Sequence, residues 1–172
     1  MTATKNKNDL ILRGMSDSGR IWIYQSTRPF TDTETVVLTS QINGFVGEWT
    51  AHRKTLLAAG AVFHNQFIVL SVDESLNDAS GCSIDASVYF IKDIENQYNV
   101  QLFERMNFAY LDGETVRTAP STVFSQLYTE GAISDETLVF DNLVNTVGAF
   151  KETWLKPLKT SWHRRFVLKK QA

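Results

Sequence analysis

The 172-residue chain has one cysteine, three prolines and three histidines. A lone cysteine excludes an internal disulfide and gives no sign of an oxidising compartment. With histidine only at positions 52, 64 and 163, no standard zinc site can be assembled without carboxylate help. No apolar run approaches the length of a membrane span. The first nine residues are polar and lack the apolar stretch of a secretory signal. The chain is therefore expected to be cytoplasmic and soluble. Three catalytic signatures are also missing: the phosphate-cradling Gly-x-x-x-x-Gly-Lys-Ser/Thr, the dinucleotide motif Gly-x-Gly-x-x-Gly, and the nucleophile turn Gly-x-Ser-x-Gly.

What remains is an ordinary globular composition, 43% hydrophobic and 21% charged, in a chain of one-domain size that can bury a real core. The net charge of −2 hides an asymmetry. Residues 151–172 hold seven basic side chains against Glu152 alone, while residues 1–150 hold ten basic and eighteen acidic ones. A basic end on an acidic body docks on that body, on a partner, or on a polyanion such as nucleic acid.

Residues 1–18 read as a flexible N-terminal extension, residues 19–166 as a single domain, and residues 167–172 as a basic tail. Ile21 and Ile23 alternate with Trp22 and Tyr24, which predicts a strand from Arg20 that stops before Pro29. Thr31 and Glu34 form a capping box for a helix carrying Leu38, Ile42, Phe45, Trp49 and Leu56, with Gly60 as its stop. Gly44 and Gly47 inside that helix imply close packing against another backbone. Ala61 to Val72 predicts strand, turned at Asn65-Gln66, and the continuous apolar run from Phe67 implies cover on both faces. A second helix follows from Ser83 to Tyr98, capped by Asn99. A hairpin turns at Asp112-Gly113, a short helix starts at Ser121, a strand covers Thr137 to Val144, and a last helix ends before Pro157. The expected fold is α+β, a mixed sheet with helices mainly on one face. A flavodoxin-like α/β arrangement is the alternative, against which the hairpin argues.

The buried strand at 67–72 hands an acidic loop to a helix start, a place where backbone amides point outward. Cys82 there is a candidate nucleophile, with Asp73 and Asp85 as acid/base groups or as oxygen ligands for magnesium, helped by Glu74 and Asp78. Their spacing matches no calcium loop. Ser80 and Ser83 join this candidate ligand set. Arg28, just past the first strand, is a candidate anion clamp. Trp162, His163, Arg164 and Arg165 interleave aromatic and basic groups, a pattern suited to nucleic acid. In each case the plainer reading is structural: an inert cysteine in a tight turn, solvated acids, an arginine paired with the acidic body, aromatics packed inward.

Several stretches together resemble a small bacterial family of the Bacteroidetes group often labelled "ABC transporter ATPase". They lie at residues 20–30, 49–52, 67–75, 80–88, 102–106, 139–146 and 161–166. The label implies ATP hydrolysis, and the phosphate-cradling loop such enzymes need is absent from this sequence. No residue role is carried over. With no complete catalytic constellation and no cofactor implied, the expected function is a binding or accessory protein recognising a protein or nucleic-acid partner. The alternative is a small enzyme with a cysteine/carboxylate site at 67–98.

Overall fold

The computed structural model describes residue 12, residues 14–75 and residues 77–168. In chain order these form β1 (Arg20–Gln25), α1 (Asp32–Glu48), β2 (Thr50–Ala51), β3 (Lys54–Thr55), β4 (Leu57–Phe63) and β5 (Phe67–Asp73). There follow α2 (Gly81–Tyr98), β6 (Asn107–Asp112), β7 (Thr115–Pro120), α3 (Ser121–Thr129) and β8 (Leu138–Phe140). The chain closes with α4 (Val147–Thr153), β9 (Leu155–Pro157), a 3-10 turn at Leu158–Thr160, and α5 (Arg164–Val167).

Strand β5 sits between β1 and β4, and its whole length is buried. Alternation along a strand sends neighbouring side chains to opposite faces. Ile68, Leu70 and Val72 meet Leu38 and Ile42 of α1 and Ile91 and Ile94 of α2. Phe67 and Val69 point the other way, into a core shared with Phe140, Val147, Phe150 and Trp154. Burying one such side chain contributes about 1.5–3 kcal/mol. A second sheet, β7-β6-β8-β9, faces this shared core through Ala109. Its outer face carries Phe108, Ala119 and Val139 against Phe124 of α3 and Val167 of α5. Each sheet thus bears helices on its outer face. The α+β class holds as expected.

The mixed sheet does not. Every strand pairing among the described residues is antiparallel. For the hairpins the reason is local: β4 turns into β5 through His64 and Asn65, both at positive φ (53° and 51°), and β6 into β7 through Gly113 at φ 63°. Such tight turns join antiparallel strands, whereas a parallel pair needs a crossover of a dozen residues or more. The flavodoxin-like alternative fails on the same ground.

Helix α1 begins as read, with the Thr31–Glu34 capping box in place, but ends at Glu48 rather than at Gly60. Its C-terminal neighbour Trp49 donates its indole N–H to the Ser83 carbonyl at 2.8 Å. His52 therefore lies in the turn between β2 and β3, not on the helix. Gly60 belongs to β4, where an added Cβ would come within 2.6 Å of Ile42 Cγ2 and 2.9 Å of Leu70 Cδ2. The close approach expected at Gly44 and Gly47 is found here instead; nothing lies within 4 Å of a Cβ at either helical position.

The extension expected over residues 1–18 is corrected for the part described. Leu12 and Met15 are buried against Ile21, Phe63 and Trp154, and the Ser16 N–H donates to Asp73 Oδ2 at 3.1 Å. Most of the basic tail at 167–172 lies outside the described residues; Val167 is buried in the outer core of the second sheet.

Candidate functional site

Backbone groups of one residue in a strand point to the same edge, and edges alternate along the chain. In β1 the even-numbered residues face β5, as does Ser26, whose N–H donates to the Gln66 carbonyl. The odd-numbered residues face the opposite edge, where Ile21 N–H donates to the Asn145 carbonyl at 3.1 Å and Thr27 N–H to the Gln101 carbonyl at 3.2 Å. Between these two anchors, no described residue bonds the Ile21 C=O, either backbone group of Ile23, or the Gln25 N–H.

That stretch of edge borders a cleft of about 360 Å³. Ile84 and Val88 of α2 with Phe103 wall one side, and Phe140, Leu143 and Val144 the other. Phe103 meets Tyr24 edge-on at 5.5 Å and, with Leu143, stays exposed at the rim. A cleft of this size, mostly apolar with a few fixed polar groups, is the usual form of a ligand site.

The polar groups are held by a relay. Trp154 Nε1 donates to Asn142 Oδ1 (3.0 Å), Asn142 Nδ2 to Gln25 Oε1 (2.9 Å), and Gln25 Nε2 to the Asn107 carbonyl (2.9 Å). Beside it, Asp141 accepts from Trp162 Nε1 (2.9 Å), Lys156 Nζ (2.8 Å) and the Leu143 N–H (3.1 Å). His163 lines the cleft while almost wholly buried, stacked on Trp162 at 4.0 Å. Its Nδ1 shares a 2.7 Å hydrogen bond with Ser161 Oγ. Burial pushes its pKa down to about 4, with Lys156 and Arg165 adding to the shift and Asp141 opposing it. The ring is neutral at pH 7. Arg105 lines the cleft from an exposed position and forms no ion pair among the described residues. Its charge acts on the Tyr24 hydroxyl, whose pKa burial nevertheless holds above the usual value.

Asp73, Glu74, Ser80 and Ser83 at the β5–α2 junction serve the fold. Asp73 accepts from the Ser75 and Ser16 N–H groups, which hold its pKa below the usual carboxylate range and tie the N-terminal segment down. Glu74 accepts from Ala79 N–H and Arg20. Ser80 caps α2 by accepting from the Ser83 N–H, and the Ser83 hydroxyl donates to the Ser80 carbonyl. Cys82 and Asp85 are exposed on the first turn and line no part of the cleft. Among the described residues no three His, Cys, Asp or Glu side chains gather into a metal-holding group.

Arg28 is not a free anion clamp. Its guanidinium forks onto Glu34 at 2.8 and 2.9 Å and donates to the Tyr98 carbonyl at 2.8 Å, and the pair holds Glu34 down to about 2. Tyr98 ends α2 whereas Cys82 opens it, so Arg28 and Cys82 stand roughly 24 Å apart along that helix at 1.5 Å per residue. The sulfur, the carboxylates, the arginine and the histidine do not converge.

Three of the seven basic side chains in residues 151–172 are docked on the acidic body. Lys151 pairs with Asp17, Lys156 with Asp141 and Lys159 with Glu136. Trp162 is half-buried rather than free to stack on a base, while Arg164 and Arg165 are exposed, Arg165 lying over the Trp162 and Phe166 rings. Of the residues read from sequence, Trp162 and His163 reach the cleft; the reading missed Gln25, Arg105, Asn107 and Asn142.

Among the described residues no helix is long and apolar enough to cross a membrane. A scan against protein-family models found no match, and neither curated proteins nor solved structures gave one.

Proposed function

We propose that this chain is a cytoplasmic binding or accessory protein whose cleft between α2 and the second sheet receives part of a protein partner. One observation carries the reading: a cleft of about 360 Å³ with apolar walls, exposed Phe103 and Leu143 at its rim, and a fixed polar relay along its side. Exposed apolar groups rimming a concave, partly polar surface are a common mark of partner recognition. The residues expected to carry catalysis serve caps and turns or stand apart from the cleft, which favours binding over chemistry. The ion pairs that hold Lys151, Lys156 and Lys159 to the body weaken the nucleic-acid version, because paired lysines release fewer counterions on binding a phosphate backbone.

The test is a photo-crosslinking amino acid placed at Leu143 and, separately, at exposed Glu130 outside the cleft, in full-length protein within its native cell. The expected result is a discrete protein adduct from position 143 and none from 130. Equal adducts from both positions, or none from 143, would overturn the reading.

A further inference from the structure

Resting on that reading of the cleft as a partner site, we propose that the occupant is an extended peptide segment. It pairs with the open edge of β1 as an added strand and carries an acidic side chain for Arg105. Four backbone groups, the Ile21 C=O, the Ile23 N–H and C=O, and the Gln25 N–H, face the cleft without a partner among the described residues. They fall in the donor and acceptor order of a ladder position. From Ile21 to Gln25 the edge runs roughly 13 Å at about 3.3 Å per residue. A compact ligand without that repeat cannot meet all four groups, whereas an extended backbone does so by construction.

The edge is also bounded. The Asn145 carbonyl takes the Ile21 N–H at one end and the Gln101 carbonyl takes the Thr27 N–H at the other, which fixes where an added strand begins and stops. An exposed edge open along its length invites indiscriminate pairing, and a short recessed one does not. Side chains of an added strand would point alternately toward α2 and toward the second sheet. Ile84 and Val88 present an apolar surface on the first side, and Leu143 and Val144 on the second. Glu104 and Arg105 both line the cleft without an ion pair among the described residues; Glu104 turns onto the Met106 N–H at 2.7 Å, whereas the Arg105 guanidinium has no hydrogen-bond partner among them. The rim therefore favours an anionic group on the peptide.

The experiment selects binders from a phage library of random linear peptides on the full-length protein. Affinities of the synthesised sequences are then measured by fluorescence anisotropy. Selected peptides should share alternating apolar positions and an acidic residue. N-methylation at every second backbone nitrogen should weaken binding by about tenfold per lost hydrogen bond, while the intervening positions tolerate it. The Ile23 and Gln25 amides should gain hydrogen-exchange protection on binding, and Arg105→Glu should weaken the acidic peptides. The proposal is overturned if no sequence binds more tightly than about 100 μM. It is equally overturned if N-methylation is tolerated at every position, or if protection appears elsewhere on the surface. A parallel ligand-observed NMR screen with a small-molecule fragment library separates the two levels. Fragments mapping to the cleft while peptides fail would remove strand addition and leave the binding cleft standing. Silence in both would remove both.

Discussion

The Trp162 indole donates to Asp141 across 2.9 Å, and that one carboxylate also holds Lys156, so a single acid fixes the C-terminal segment against the cleft wall. Asp141 is 7% exposed. Asp141→Ala would leave the Lys156 ammonium and the indole N–H, both only partly exposed, without their shared acceptor. A loss of about 1–3 kcal/mol in unfolding free energy is expected, the scale for removing one partner of a partly buried charged hydrogen bond. Asp141→Asn can still accept from the indole and should lose less. Urea denaturation of the two variants checks the order.

Glycine-to-alanine substitutions should change sign with position. Gly60→Ala drives a methyl onto Ile42 and Leu70, both fully buried, and should destabilise by about 1–3 kcal/mol. Gly44→Ala and Gly47→Ala meet open space on α1 and should each stabilise by up to about 1 kcal/mol. Denaturation midpoints of the three single variants decide it. Stabilisation by Gly60→Ala would contradict the packing described.

Acidification should weaken the protein in two windows. His163 stays neutral in the fold down to about 4 but takes a proton near 6.5 when unfolded. Between those values the unfolded chain binds the extra proton, so stability falls as pH drops, by up to about 3 kcal/mol. Glu34, held at about 2 by Arg28 against an ordinary 4.5, adds a second loss as pH falls through that lower range. A pH series of melting temperatures should show both steps. His163→Phe should flatten the upper one and Arg28→Lys, which lacks the planar fork, should shrink the lower one.

Cys82 is exposed and makes no contact on which the fold depends. Iodoacetamide should modify the native protein at a single site without prior unfolding. Cys82→Ser should leave stability within about 0.5 kcal/mol of the parent chain. A thiol that resists alkylation until the protein unfolds would contradict its placement.

Much of the fold was legible because its signals are local. The Ile21–Tyr24 alternation, the Thr31–Glu34 box, the apolar run from Phe67 and Asn99 after α2 each act through neighbours a few residues apart. The misreadings share one cause. Gly60 looks like a helix stop from the chain alone, and only the arrival of Ile42 and Leu70 shows it to be a strand position stripped of its side chain for packing. Arg28 looks like an anion clamp until α1 and the end of α2 bring Glu34 and the Tyr98 carbonyl to it. At the Cys82 helix start, Asp73 and Glu74 accept backbone amides while Asp85 faces outward, a division of roles that spacing does not record.

Periodicity, capping residues and turn-formers wrote the order of strands and helices into the chain, since those preferences act over one or two turns of backbone. The cleft was decided by folding. Its walls come from residues 21–25, 84 and 88, 102–105, 107–108, 140, 142–145 and 162–163, and its defining feature is a run of strand edge that no other described segment arrives to cover. An unpaired edge is a property of who stands beside a strand, and neighbours so distant in sequence leave no local period by which to foresee them.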